Sequence, residues 1–399
     1  MVTMTPRERM MTALRKGRPD RVPAAPDISN MVPCRLTGKP FWDIYANEDP
    51  PLWKAYLDAV RYFGMDGWFT YGDIHYKTKA DIKYESTTIK HKDRWEIRNR
   101  IRTPDGDLFT ATAYPSSNPP TNVERAVKNF KEDFNKIRHF YSEVTGYDDT
   151  LYQHQKEALG DLGIMCISIS VPGLHIYFDL FNGNLEAATY AYYDYPEMFE
   201  EIRQMHHKQQ IRRTEIALDL GVDSILTGGS GSITMQSPAI WRQMSLPTLK
   251  EVTKMCKQAG VISGVHSCGK ERYMVEACVK ETDLDYINPL EIPPMGDCDL
   301  KECRESFGNE IALMGNLHTT EVMLKGSPEL VKLESLKAIL AAGVNGAFVL
   351  STGDQCGRDT PDENIFAMVE TVNEFGHYPL DIDRIKDEIK RLEAKIKKQ

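Results

Sequence analysis

The feature that most constrains this chain is a repeated unit, an apolar run, in most cases led by glycine, followed by an amphipathic segment of helical period. Six such runs, "GIMCISIS", "GVDSILTG", "GVISGVHSCG", "LDYINPLE", "EIALMGNL" and "NGAFVLSTG", are short and rich in β-branched residues. Helix-like segments such as "AIWRQMSLPTLKEVTKMCKQA" and "SPELVKLESLKAILAA" separate them. Two earlier runs, in "DRVPAAPDISN" and "GWFTYG", bring the count to eight. Strands alternating with helices predict a parallel sheet, and eight of them favour a closed (β/α)8 TIM barrel over its rival, the open doubly wound sheet. A length of 399 residues is compatible with one such unit carrying insertions.

Two stretches break the rhythm. From about 80 to 115 the sequence alternates polar and apolar residues around the turn "TPDGD", which predicts antiparallel β-hairpins inserted between barrel units. The polar link "SSNPPTN" follows. At the other end, 381–399 reads as a charged helix with one apolar seam of Ile382, Ile385, Ile389, Leu392 and Ile396. That seam suits packing on the flank of a barrel spanning 1–380 or a homodimer contact. At the start, Thr5, Pro6 and Gly17 read as cap, first turn and stop of a helix.

The net charge of -9 leaves no basic excess for nucleic acid. No apolar run is long enough to span a membrane, and the N-terminus lacks the pattern of a signal peptide, so a cytoplasmic chain is expected. The eight cysteines form no CxxC pair. In a reducing compartment most are buried small hydrophobes, and a few are ligands or nucleophiles.

Barrels place reactive groups where the strands end, at their C-terminal mouth. Here those ends carry Asp27, then Tyr71 and Asp73, Ser170, "GGSGS", His266 and Cys268, Asn288 and Glu291, Asn316 and His318, and Asp354 and Cys356. In an extended segment residues two apart share a side, so His266 and Cys268 face one point. Imidazole and thiolate suit zinc, and Cys356 or Asp354 from strand eight is the expected third ligand. The plain alternative is a hydrogen-bonded histidine beside a buried thiol. Asp73 is also readable as a helix cap, whereas the prolines after Glu291 deny it that role. His318 sits before a helix start that Thr319 or Thr320 is expected to cap. "TGGSGSIT" matches neither phosphate-loop motif and reads as a plain loop, with an anion cradle as the alternative.

Together, "TPRERMMTALRKGRPDRVP", "YGDI", "GVHSCG", "INPLE", "FGNEIALMGNL" and "STGDQCGRDTPDEN" resemble the uroporphyrinogen decarboxylase superfamily over nearly the whole chain. The resemblance implies a (β/α)8 barrel. Asp73 matches the decarboxylases' pyrrole-binding aspartate. Their Arg-rich N-terminal motif is missing from "PAAPDISNMVPCRL", where Arg35 stands alone. The corrinoid-linked methyltransferase branch is similar at His266 and Cys268, which there bind zinc with a cysteine after strand eight. The place of that cysteine is taken here by Asp354, and Cys356 follows two residues on.

What the resemblance implies is methyl transfer from a methoxylated aromatic, or similar small-molecule methyl donor, to the cob(I)alamin of a partner corrinoid protein. The expected metal ligands are His266, Cys268 and Cys356 (or Asp354), holding zinc. Asp73, Glu291 and His318 are expected as catalytic groups and Asp27, Tyr71, Asn288 and Asp354 as substrate-binding ones. Tyr71, Phe178 and Trp68 are expected to wall the pocket. Three alternatives stay open: methylcobalamin:thiol (coenzyme M-type) transfer, a decarboxylase, and a non-catalytic corrinoid-binding barrel.

Overall fold

The computed structural model describes residues 3–398. Seven parallel strands pair in chain order: Gly67–Gly72, Gly163–Ser168, Ser224–Gly228, Ile262–His266, Tyr286–Asn288, Ala312–Leu317 and Phe348–Thr352. Residues 21–28 supply the remaining stave. The Leu350 N–H donates to Pro23 O at 3.0 Å, the Ala25 N–H to Leu350 O at 2.9 Å, and the Asp66 N–H to Ala24 O at 2.8 Å. The segment thus joins the last strand to the first and closes a (β/α)8 barrel. Pro23 and Pro26 have no N–H, so this stave makes few ladder bonds. Counting it as stave one, the seven strands are staves two to eight.

Both faces of the staves are buried, which is why the sequence runs are apolar without alternation. Trp68, Ile164, Cys166, Tyr286, Met314 and Val349 pack together as the barrel interior, while Phe69, Ile167, Ile225, Leu313 and Phe348 belong to the layer under the helices. The helix Pro6–Leu14 contributes Met10, Ala13 and Leu14 to the interior cluster, and its N-terminus is closed by a Thr5–Glu8 capping box. It ends at Leu14, and Lys16 rather than Gly17 takes the left-handed backbone, with φ 66°. Nearby, the fully buried Asp66 carboxylate accepts from Arg9 at 2.6 Å, Arg21 at 2.8 Å and the Ala24 N–H at 2.8 Å.

The inserted sheet is larger than the 80–115 stretch. Its strands are Lys83–Lys90, Arg94–Thr103, Gly106–Pro115 and Thr121–Glu124, all antiparallel, and a further pair joins His75–Thr78 to Val144–Asp148. Part of the "SSNPPTN" link is therefore strand. Ile101 and Leu108 anchor the sheet on Phe130, Phe134 and Tyr177, and Trp42 stacks on Trp95 at 5.6 Å. The terminal helix Ile382–Ile396 buries Ile385 and Leu392 in the main core, with Ile389 and Ile396 packed beside them. Of the two readings of its seam, the structure has the barrel flank. Lys395–Glu329, Lys332–Glu388 and Lys337–Glu393 ion pairs edge that contact at 2.7, 3.1 and 3.3 Å. Among the described residues no helix is long and apolar enough to cross a membrane.

Candidate active site

A cavity of about 560 Å3 opens at the C-terminal ends of the staves, lined by Asp27, Trp68, Ser168, Ser170, His266 and Asp354 among others. His266 closes stave five and Cys268 follows on the same side, with His266 Nε2 3.6 Å from Cys268 Sγ. Asp354, in the loop after stave eight, completes the group: one ligand atom from each of the three lies within 4.8 Å of the others. The glycine-rich loop after stave four holds this turn in place. Its Gly229 N–H donates to His266 O at 2.8 Å and its Gly231 N–H to Cys268 O at 3.2 Å. Those amides are spent on the turn, so the loop is a clamp and not an anion cradle. A side chain at Gly228 would put Cβ 2.3 Å from His266 O, and φ there is +87°, so the close approach requires glycine.

The three side chains fit a metal ion in two respects. The donors, one imidazole, one sulfur and one carboxylate, are the types zinc takes, and three protein ligands leave a place for substrate. The second respect is the orientation of the imidazole. Asn288 lies with its amide nitrogen 3.3 Å from His266 Nδ1, and its buried Oδ1 has no partner. Rotating the amide by half a turn, an assignment fixed only by hydrogen bonding, lets Oδ1 accept from Nδ1–H. That tautomer leaves the Nε2 lone pair directed toward Cys268 and Asp354, the support a ligating histidine normally receives. Without a cation, burial and then the charge of Asp354 push the Cys268 thiol up to about 12. A divalent cation reverses that balance by stabilising the thiolate.

Cys356, expected as the third ligand, is a correction. It is fully buried, its N–H donates to Asp27 O at 2.7 Å, and its thiol lies against the hydroxyls of Thr352 and Thr360. Asp354 occupies the position at the cavity. Three further expectations are displaced. Asp73 is exposed, neither a helix cap nor part of the cavity wall, and its N–H donates to Gln155. Tyr71 points to the helical layer, where its ring lies 5.3 Å from those of Phe69 and Tyr56; strand alternation turns Trp68 and Thr70 inward instead. His318 is itself the cap of the following turn, its Nδ1 accepting from Thr320 N–H at 3.1 Å and Glu321 N–H at 3.2 Å. It lines a separate cleft of about 190 Å3.

Glu291 is buried beside the site rather than on the wall, and accepts from the Gly269 N–H. Burial pushes its carboxyl up against that hydrogen bond, with the charge of Asp354 adding. Asp27 does reach the cavity. Burial raises its carboxyl above the ordinary range, against the pull of the hydrogen bonds from Ser29. Asn288 acts through His266 and not on the wall. Phe178 packs in the cluster under the insert. Ser29 and Gln355, from the loops after staves one and eight, and Met31, the first residue of the helix Met31–Leu36, line the cavity and carry no pattern that marks them in advance.

Residues 180–375 match the uroporphyrinogen decarboxylase (URO-D) family. The chain is 24% identical to the methylcobamide:CoM methyltransferase MtbA of Methanosarcina mazei over 390 residues, 94% of this chain and 99% of the relative. It is 25% identical over 151 residues, 37% of each chain, to a methylated-thiol–coenzyme M methyltransferase of the same organism. A solved methyltransferase from Methanosarcina mazei superposes with a TM-score of 0.61 at 15% identity, covering 93% of this chain and 99% of that one. The barrel, with its cluster at the mouth, is thus similar to the uroporphyrinogen decarboxylase superfamily, with the family match falling on its second half. Both of these curated relatives are methyltransferases named for coenzyme M.

Proposed function

We propose that this protein is a corrinoid-dependent methyltransferase that moves a methyl group from a methylcorrinoid, held by a partner protein, to a small thiol. The observation that carries this reading is the His266–Cys268–Asp354 cluster on the wall of the barrel-mouth cavity. Kinship to two coenzyme M methyltransferases supports the thiol as acceptor. The sequence alone put a methoxylated aromatic first, and these relatives reverse the order.

In the reaction an S–CH3 bond forms and the Co–CH3 bond breaks, with its electron pair left on cobalt as Co(I). The thiol loses its proton. Zinc bound by His266, Cys268 and Asp354 would supply the Lewis acidity that favours thiolate at neutral pH. Asn288 orients His266, and the glycine clamp fixes the turn that carries both stave-five donors. Asp27, whose carboxyl burial raises above the ordinary carboxylate range, is the proton acceptor on the wall. Trp68 forms the apolar side of the cavity.

One observation favours methyl-ether cleavage as a second reading. Asp354 stands where sulfur is usual, and a centre with fewer sulfur donors is the better Lewis acid toward an ether oxygen. One anaerobic assay separates the two. With methylcobalamin and 2-mercaptoethanol, the thiol reading expects the visible spectrum to change to that of cob(I)alamin. With cob(I)alamin and a panel of methoxyaromatics, the ether reading expects methylcobalamin. Inertness in both directions rejects both.

A further inference from the structure

Ser170 lies two residues beyond the end of stave three and faces the cavity with Ser168. Among the described residues its hydroxyl has one side-chain partner, His206 Nε2 at 2.7 Å. His206 comes from the helix Pro196–Asp219 and is 2% exposed. Its Nδ1 lies 3.1 Å from the hydroxyl of Tyr177, which is 1% exposed and has no other partner among the described residues. The three groups form a chain running from the helical layer to the wall, apart from the metal cluster.

Counting protons sets the direction of this chain. Burial holds the His206 imidazole down at about 3, so at neutral pH one ring proton has to be placed. The Tyr177 O–H has a single acceptor in reach, Nδ1, and a buried hydroxyl proton left unpaired is costly. Nδ1 therefore accepts, the ring proton sits on Nε2, and Nε2–H donates to Ser170 Oγ. The Ser170 proton then finds no acceptor in the wall and is directed into the cavity.

We infer that Ser170 is a substrate-binding donor, aimed by His206 and Tyr177 as positioning residues, and that the substrate carries an acceptor atom beyond its reacting sulfur. The inference about substrate rests on the thiol reading above, whereas the orientation of the chain does not. Two measurements keep them separate. Long-range 15N–1H correlation spectra of the labelled protein, with His206→Gln to assign the signal, are expected to show His206 as the Nε2–H tautomer at pH 7. An Nδ1–H tautomer overturns the orientation and the donor with it.

The second measurement compares 2-mercaptoethanol with ethanethiol, which lacks the hydroxyl, as acceptors for methylcobalamin. In Ser170→Ala the kcat/KM ratio of the two thiols is expected to fall about tenfold, the loss of one hydrogen bond. General damage to the fold moves both thiols alike and leaves the ratio unchanged, so an unchanged ratio in an active variant overturns the binding role. Failure of the wild type to methylate either thiol rejects the thiol reading, and the tautomer then decides the Ser170 orientation by itself.

Discussion

Asp354 and Cys356 are two residues apart, yet only one reaches the cavity. Strand parity stops at Thr352, where the chain leaves stave eight. Beyond it the loop is set by hydrogen bonds: Thr352 Oγ1–H to Asp354 O at 2.7 Å, and Cys356 N–H to Asp27 O at 2.7 Å. These tuck the sulfur under stave one and leave the carboxylate outside. Elemental analysis of purified variants checks the ligand set. His266→Ala and Asp354→Ala are expected to lose bound zinc, and Cys356→Ala to keep it. Loss in Cys356→Ala with retention in Asp354→Ala would return the third ligand to sulfur. The His266–Cys268 pair was legible in the sequence because its geometry is local, two residues on one extended segment. Tyr71 departs from the expected position because the last residues of a strand do not all face the mouth; alternate ones turn outward.

Among the elements, the terminal helix makes the plainest energetic statement. Leu392 is 1% exposed, so Leu392→Ala removes buried methyl groups and leaves a cavity, a loss of about 2–4 kcal/mol. Arg391 pairs with Glu388 of the same helix and its own side chain is mostly exposed, an arrangement worth little, so Arg391→Ala is expected to stay near the wild type. Urea midpoints of the two variants test this, and equal stability would mean that the seam is not held as described. The inserted sheet was recognised by its alternation, but its extent was not. A separate two-stranded sheet joins His75–Thr78 to Val144–Asp148, and pairing across such a sequence distance leaves no local mark. Stave one shows the reverse case: it is counted among the eight runs in the sequence, its prolines leave it few ladder bonds, and the bonds to Leu350 and Asp66 are what join it to its neighbours and close the barrel.

For the whole molecule, buried histidines tie stability to pH. Burial holds His175 at about 4 and His206 at about 3, against about 6.5 in an unfolded chain. Between those values the unfolded chain binds protons that the folded one refuses. Each residue's contribution is thus intact above pH 6.5 and is lost as the pH falls. Glu271 acts in the opposite sense, since burial raises its carboxyl well above the usual range. A variant isolates one term: His175→Gln is expected to show a shallower decline between pH 6 and 4, by about 1.4 kcal/mol per pH unit. Urea midpoints across that range measure it, and parallel curves would mean that His175 titrates normally when folded.

The amino-acid sequence by itself determined the number and order of the staves, their burial on both faces, and the placing of imidazole and thiol at the end of the fifth. Those properties depend on hydrophobic period and on neighbours within two residues. Only the tertiary structure decided which group from stave eight meets them, that Asn288 supports His266, and that Ser170 is backed by a histidine and a tyrosine from other elements. Such contacts join segments far apart in the chain, and which atoms meet is set by loop hydrogen bonds and packing that no local pattern encodes.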